Sequence, residues 1–463
     1  MINEKKKILI IGSGAVSSAL AKKLHENTEV GEIFIASGNG IPSDIYTNID
    51  YREEDITGLL NFVLENDIFL TIPTSEKSLK SDIVSFFQSN GQNIFGPNKN
   101  ACAIALNNAA GKKFIYKIHA QTSKFGIFDK QQPAEDYLRT VNFPVTIKVN
   151  EYSSIIDDRL VCSTMSLARE FLSTLYQKNE TNVIVEEFTY GKNFTIYYIT
   201  DGYSAVPITS VQNYKFTRDG DGGILTNGIG CYCPDINTSE VIYSRVGNIV
   251  QNTLSSLDKK GTPYIGILGV ECTLTGEDKF YVNEFKPFFQ EHDAKAVLNL
   301  INDDLVQIFT SCINGFFSDE YEEIRMNNCF STSATVLSRK NNKIINGLEN
   351  IEETEADAVV IAGMGGELIA KIIGDAPWLK YNKQIIMQPM THFEDLRAFL
   401  CDNGYKITKE TVVREGKRLY LALSAEYTEE EADFGEWYFY VGNLIYSTNP
   451  DEIEFPGRIQ TVS

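Results

Sequence analysis

Residues 266–298 read GILGVECTLTGEDKFYVNEFKPFFQEHDAKAVL. Two apolar runs that alternate in the manner of strands flank the polar turn TGED (275–278), and this pattern predicts a hairpin. Each strand carries one carboxylate, Glu271 and Glu284. An acid inside an apolar strand is costly to bury unless a cation or hydrogen bonds compensate it. Two such acids on neighbouring strands, pointing to one side, form a hard oxygen site suited to Mg²⁺ carrying a nucleotide's phosphates. The alternative is a pair of carboxylates on the solvent face of an edge hairpin.

The chain around this hairpin has 463 residues, enough for two to four domains, and 43% of them are hydrophobic, enough for real cores. Lys and Arg number 42 against 62 Asp and Glu, a net charge of -20. That balance argues against broad binding of a nucleic-acid backbone and leaves room for a local basic groove. The opening MINEKKKILIIGSG has an apolar run too brief for a membrane span, and it flows into a turn, so it reads as a first strand and not a signal peptide. The eight cysteines are dispersed with no CxxC pair, which fits a reduced cytoplasmic compartment and not a zinc site.

Outward from the hairpin the pattern is α/β and divides into three segments. Residues 1–105 begin with the β-branched strand KILII and a glycine turn opening a helix. Further strands (EIFIA, IFLTI, NIFG) alternate there with helices such as SDIVSFFQSN, the pattern of an open parallel sheet domain. Residues 106–340 start with the helix NNAAGKKFIYKIH and continue through the strands VTIKVN, NVIVEEF, FTIYYITDG and AVPITSV to the hairpin and a helix, AVLNLINDDLVQIFTSCINGFF. Residues 341–463 give a second alternation: DAVVIAGMGGELIAKIIG, KQIIMQP, LRAFLCDNGY and LYLALSAEY.

Several residues fit a nucleotide. Lys112 on a helix and Lys148 in the strand VTIKVN are ammonium donors of the kind that neutralise α- and β-phosphates. A solvated helix position for Lys112 and a structural one for Lys148 are the alternatives. VIVEEFTYG resembles a hinge whose extended backbone hydrogen-bonds an adenine edge at Glu186, Glu187 and Phe188. The run DGDGGILTNGIGCY (219–232) reads as a loop, either near a phosphate or on the surface. The lone GSGAVS turn is a weak signal.

Over residues 7 to about 340 these segments, in order, resemble phosphoribosylamine–glycine ligase, an ATP-grasp family of purine biosynthesis. The match runs through KILIIGSG, SGNG (37–40), NIFGPNK (93–99), GKKF, VTIKV, VIVEEFTYG, SVQNYK (210–215), DGDGG, LTNGIGCY and the carboxylate hairpin. The resemblance implies an N-terminal domain, a small lid and an ATP-grasp body that joins phosphoribosylamine to glycine through a glycyl phosphate. It implies ATP on Lys112, Lys148 and residues 186–188, and Mg²⁺ on Glu271 and Glu284. Substrate is implied at Gly12, Gly14, Asn39, Glu76 and Lys215.

The chain also departs from that pattern. The family continues after GSG with Gly-Arg-Glu-His, where this chain has Ala15, Val16, Ser17 and Ser18. The glycine-rich lid is replaced by NEYSSIIDDRL (150–160), which has no glycine and two aspartates that repel a triphosphate. Lys192 and Asn193 stand where an acidic pair follows the hinge glycine, and Lys286 replaces a metal-binding Asn two residues beyond Glu284.

From about 345 to 442 the runs INGLENIEETEADAVVIAGMGGELIAKII, IIMQPMTHFEDLRAFLCDNGY and ITKETVVREGKRLYLAL resemble the distal half of bacterial tRNA (adenine-N1)-methyltransferases of the position 22 type. That resemblance implies a partial Rossmann-like segment in which GMGG (363–366) lies beside S-adenosylmethionine. The strand and acidic glycine loop that would hold this cofactor are missing ahead of it, so a small α/β cap packed on the ligase body is the other reading. The closing DEIEFPGRIQ (451–460) also fits the last strands of a ligase C-terminal domain.

Three functions follow as expectations: a cytoplasmic ATP- and Mg²⁺-dependent ligase of small molecules, a non-catalytic nucleotide-binding homologue, and a tRNA methyltransferase or tRNA-binding module using the C-terminal segment. No membrane contact is expected, and nucleic acid only through that last segment. The sequence does not decide the oligomeric state.

Overall fold

The structure, a computed structural model, describes residues 5–38, 43–151, 159–218, 222–334, 358–381, 383–389, 391–415, 418–429, 436–447, 449, 452 and 455. The chain divides into two compact units, Met1–Thr335 and Val336–Ser463.

The first unit begins with the strands β1 (Lys6–Ile11), β2 (Val30–Ala36), β3 (Thr47–Ile49) and β4 (Leu70–Pro73), in the order β3-β2-β1-β4. All their pairings are parallel. Side chains alternate across a strand, so Ile8 and Ile10 enter one core with Val16 and Leu20 of the helix Ala15–His25. Leu9 and Ile11 enter the opposite core with Leu59 of Ile56–Glu65 and Ile83 of Ile83–Ser89. A parallel strand covered on both faces explains the unbroken apolar run. The order reverses between β1 and β4, which opens a crevice beyond their carboxyl ends. NIFG does not form a full strand: only Ile94 makes a bridge, to Thr71, before Gly96 and Pro97 end the pairing.

Two antiparallel sheets follow. The smaller has the order β5-β8-β6-β7, from β5 (Phe125–Phe128), β6 (Val145–Lys148), β7 (Arg159–Cys162) and β8 (Val183–Glu187). The larger has the order β13-β12-β9-β10-β11-β14, from β9 (Lys192–Asp201), β10 (Ala205–Arg218), β11 (Gly222–Cys233), β12 (Ile265–Gly276), β13 (Lys279–Lys286) and β14 (Ser331–Ala334). The helix Glu240–Asp258 packs on the larger sheet because Ile242, Val246, Val250, Leu254 and Leu257 recur on one face, and Ser239 caps it by accepting from the Ile242 N–H. Leu254 is fully buried, and its truncation to Ala costs about 2–5 kcal/mol.

Two sequence expectations change here. The glycine-rich run is a strand from Gly222 onward, not a loop, because β10 offers it a pairing edge whose register slips absorb the glycines; residues 219–221 lie outside the described ones. The single helix expected from 296 to 317 is two, Glu291–Leu300 and Leu305–Asn314. Asp304 breaks it by accepting from the Val306 and Gln307 N–H groups as a cap.

In the second unit, β15 (Ala358–Met364), β16 (Gln384–Pro389), β17 (Tyr405–Glu415) and β18 (Arg418–Tyr427) form a sheet of order β15-β16-β18-β17. β15 and β16 are parallel, and the other pairs are antiparallel. The helices Gly366–Gly374 and Phe393–Asp402 contribute Ile369, Ile373, Leu396 and Leu400 to its core. Arg397 is fully buried there, and its Nε donates to Glu410 at 2.8 Å. Of the closing run only Glu452 and Phe455 are described, and Phe455 belongs to this core.

All eight cysteines are free, and seven are buried while Cys329 is exposed. Among the described residues no helix is long and apolar enough to cross a membrane.

Candidate functional site

The hairpin β12–β13 forms as the sequence pattern requires, and Glu271 and Glu284 stand directly opposite each other in it. Neither reaches solvent freely. Glu271 Oε1 lies 2.5 Å from Lys215 Nζ, and its Oε2 lies 3.4 Å from Lys286 Nζ. The same Lys286 Nζ is 2.5 Å from Glu284 Oε1. Burial pushes both carboxyls up, but Lys215 and Lys286 outweigh it for Glu271. For Glu284, Lys286, Lys148 and Arg159 do the same, so both acids sit below the usual range as carboxylates.

A second cluster sits on the smaller sheet. Glu186 of β8 receives Lys148 of β6 at 2.5 Å on Oε1 and Lys112 of the helix Asn108–Lys117 at 2.6 Å on Oε2. Burial raises this carboxyl, and the two ammonium groups more than cancel it, bringing it down to about 2. Burial also pushes Lys112 and Lys215 down. Lys112 donates to Thr122 Oγ1 at 2.9 Å. The same ammonium lies 2.6 Å from Glu186 Oε2, a buried ion pair.

The two clusters meet. A cavity is lined by Lys112 and Gly111 from the helix, Lys148 and Ile184 from the smaller sheet, and Asn283 and Glu284 from the larger. The cations Lys112, Lys148, Lys215, Lys286 and Arg159 are all buried. Ammonium groups gathered between two sheets suit a polyphosphate.

The hinge is less open than its sequence implies. The Glu187 N–H donates to Lys124 O at 2.9 Å and the Phe188 N–H to Pro144 O at 3.0 Å, so both backbone donors are used within the protein. The Glu187 side chain accepts from the Asn142 N–H, and Phe188 packs edge-on to Tyr190.

The remaining expected substrate residues fall in a different place or in none. Gly12 and Gly14 follow β1 at the crevice, and Glu76 begins the helix Glu76–Lys80 beyond β4, where it pairs with Lys80 at 3.3 Å. Asn39 lies outside the described residues. Lys215 is not in the crevice with them but on Glu271. Gly12 has φ +147°, and a Cβ there would meet Thr74 Oγ1 at 2.4 Å. A Cβ on Gly14 would meet Glu291 Oε1 at 1.9 Å.

Three further acids, two at the crevice and one against the larger sheet, were left without a role by the sequence reading. Glu291, first residue of Glu291–Leu300, accepts from the Val16 N–H at 3.3 Å. Glu53 is buried and accepts from Ser75 Oγ at 2.5 Å and Ser37 Oγ at 3.2 Å. Asp293, fully buried, accepts from Tyr197 OH at 2.6 Å and Asn213 Nδ2 at 2.8 Å. The acid-rich QEHD immediately after the hairpin was the available signal for Glu291 and Asp293; nothing local marked Glu53.

Magnesium does not fit Glu271 and Glu284 as they stand. Mg²⁺ demands a near-octahedral set of oxygens at about 2.0–2.1 Å. Here the facing carboxylates already hold ammonium groups, and Lys286 brings a cation where an oxygen would be required.

The comparisons agree with this architecture. Residues 107–294 match the phosphoribosylglycinamide synthetase ATP-grasp (A) domain, and residues 6–105 match the N domain of the same enzyme. Residues 324–423 match a methyltransferase domain. The solved phosphoribosylamine–glycine ligase of Thermotoga maritima has a TM-score of 0.62 at 16% identity, covering 92% of this chain and 93% of that one. Biotin carboxylase of Campylobacter jejuni has a TM-score of 0.58 at 12% identity, covering 73% and 78%. These two likenesses show the fold. Phosphoribosylamine–glycine ligase of Allochromatium vinosum is 28% identical over 316 residues, covering 67% of this chain and 74% of that protein. The corresponding protein of Lactococcus lactis subsp. lactis is 31% identical over 312 residues, covering 67% and 75%. With the N domain and the ATP-grasp domain both matched, and a relative 31% identical over two thirds of the chain, the chain belongs to the phosphoribosylamine–glycine ligase family.

Proposed function

We propose that this chain is an ATP-dependent ligase of purine biosynthesis that joins phosphoribosylamine to glycine and releases ADP and phosphate. The observation that carries the nucleotide part is a cavity between two antiparallel sheets that brings Lys112 and Lys148 together with Glu284, whose carboxylate Lys286 holds. In this reading Lys112 and Lys148 release Glu186 in part and turn to the phosphates, while Glu186 accepts from the base. Residues 1–105 form the pre-ATP-grasp domain, 106–340 the ATP-grasp body with its lid, and 341–463 the methyltransferase-like segment. The compartment is the reduced cytoplasm, in keeping with free thiols throughout.

Magnesium is the expected companion of ATP in this fold, and no step is assigned to it because the carboxylates that would hold it are paired with lysines. That same pairing favours a second reading, a homologue that binds nucleotide without turnover. Incubating the protein with ATP, glycine and phosphoribosylamine generated in place separates the two. Glycinamide ribonucleotide with stoichiometric ADP supports the ligase, and ATP binding with no product supports the second reading.

A further inference from the structure

Lys286 sits where the metal of this fold is expected, and it is built into that place. It is two residues beyond Glu284 on β13, so both side chains project from one face of the strand. Opposite it in the register stands Gly269, where a Cβ would come within 2.9 Å of Lys286 Cβ. A side chain at 269 would crowd both the lysine stem and the Tyr197 ring, at 2.8 Å, so the glycine gives room to both. The ammonium reaches both carboxylates, 2.5 Å from Glu284 and 3.4 Å from Glu271. A second lysine, Lys215, holds the other oxygen of Glu271 at 2.5 Å. The two acids and two ammonium groups are balanced in charge before any ligand arrives.

We propose that the Lys286 ammonium replaces the divalent cation between Glu271 and Glu284, so that this site takes a nucleoside polyphosphate without magnesium. The proposal rests on the nucleotide reading above and goes beyond it in naming the charged form of the ligand. A divalent ion entering here would face Lys286 and Lys215 at contact range and would have to strip the three buried ion pairs they make. A metal-free polyphosphate meets the opposite situation. Lys112 and Lys148 supply buried positive charge on the facing side, where both hold Glu186. An ammonium offers three donors and no acceptor, so it can bridge carboxylates and a phosphate oxygen in the geometry a metal would bridge.

The test is calorimetric titration of ATP into the full chain, once with excess EDTA and once with excess Mg²⁺. The expected Kd changes by less than about threefold between the buffers, whereas Lys286→Asn, which returns an oxygen ligand, binds at least about tenfold more tightly with Mg²⁺. A loss of about tenfold or more in EDTA by the unaltered chain overturns the proposal. A parallel titration of Mn²⁺ followed by electron paramagnetic resonance needs no nucleotide. The unaltered chain should leave the Mn²⁺ spectrum free, and Lys286→Asn should quench it; Mn²⁺ binding by the unaltered chain that Glu284→Gln abolishes overturns the proposal. If ATP binds in neither buffer, the nucleotide reading falls together with the polyphosphate half of this proposal. The Mn²⁺ titration then still decides whether the ammonium excludes the metal. Lys286→Gln repeats both measurements should the Asn variant fail to fold.

Discussion

Glu291 Oε2 accepts the backbone N–H of Val16 at 3.3 Å, so the first turn of the helix Ala15–His25 holds a carboxylate from the segment that follows the hairpin. A helix N-terminus attracts anions, and this one has recruited an internal carboxylate at the point where Gly14 leaves room for it.

Burial pushes the Glu291 carboxyl up, and the backbone N–H groups of Ala15 and Val16 only partly offset it. Its folded pKa therefore lies above the unfolded value, and the contribution to stability is full below the ordinary glutamate range and lost as pH rises through the raised pKa. Glu291→Gln, neutral at every pH, should raise the melting temperature relative to the unaltered chain at pH 8 and leave it unchanged at pH 4. A larger gain at pH 4 than at pH 8 would contradict the assignment.

Glu186 has the opposite sign. Its pKa falls from the ordinary 4.5 to about 2, so its stabilisation is present above the unfolded pKa and is lost as pH falls through about 2. Glu186→Gln leaves Lys112 and Lys148 without their shared carboxylate and should destabilise the protein by about 3–5 kcal/mol near neutral pH. Urea denaturation at pH 7 and pH 3 measures this, and the difference between the two proteins should shrink at the lower pH. ATP should recover more stability in the variant than in the parent, since polyphosphate supplies the missing negative charge.

In the second unit, the buried Arg397 donates through Nε to the buried Glu410 carboxylate and through Nη1 to the carbonyls of Phe439 and Tyr440. Removing one partner of a buried pair leaves a naked charge, so Glu410→Ala should cost about 3–5 kcal/mol. A change under about 0.5 kcal/mol in denaturant unfolding would show that the guanidinium finds other acceptors.

The methyltransferase-like sheet should bind no S-adenosylmethionine. Among the described residues it has the four strands β15 to β18, with no acidic glycine loop ahead of β15. Calorimetry is expected to show no heat above dilution. Micromolar binding that Gly366→Val removes would refute this. Gly366 suits the test because a Cβ there would meet His392 O at 1.9 Å.

What could be read from the chain alone was whatever depends on neighbours in sequence. The hairpin with Glu271 facing Glu284, the strand position of Lys148 and the two-faced strand β1 all follow from alternation over a few residues. Partners were not readable. Lys215, expected on substrate, pairs with Glu271 although β9 lies between their strands in the sheet, and no spacing in the sequence encodes that crossing. Lys286 was legible as a departure but not as a bridge between two acids. Glu53 gathers hydroxyls from three separate loops, Ser13, Ser37 and Ser75, which only the closed sheet brings together. The glycines of β11 misled because glycine signals a loop by default, while bulged pairing with β10 accommodates them, and Gly228 yields its space to the His292 ring.

The distribution of thiols has a practical outcome. Burial pushes seven of the eight cysteines up, which keeps them as unreactive thiols at neutral pH. Cys329 alone is exposed, two residues before β14 pairs with β11. A maleimide fluorophore should therefore attach at one position without any engineered cysteine, at the edge of the larger sheet. The natural chain thus comes with its own reporter for following ligand arrival by fluorescence anisotropy or quenching.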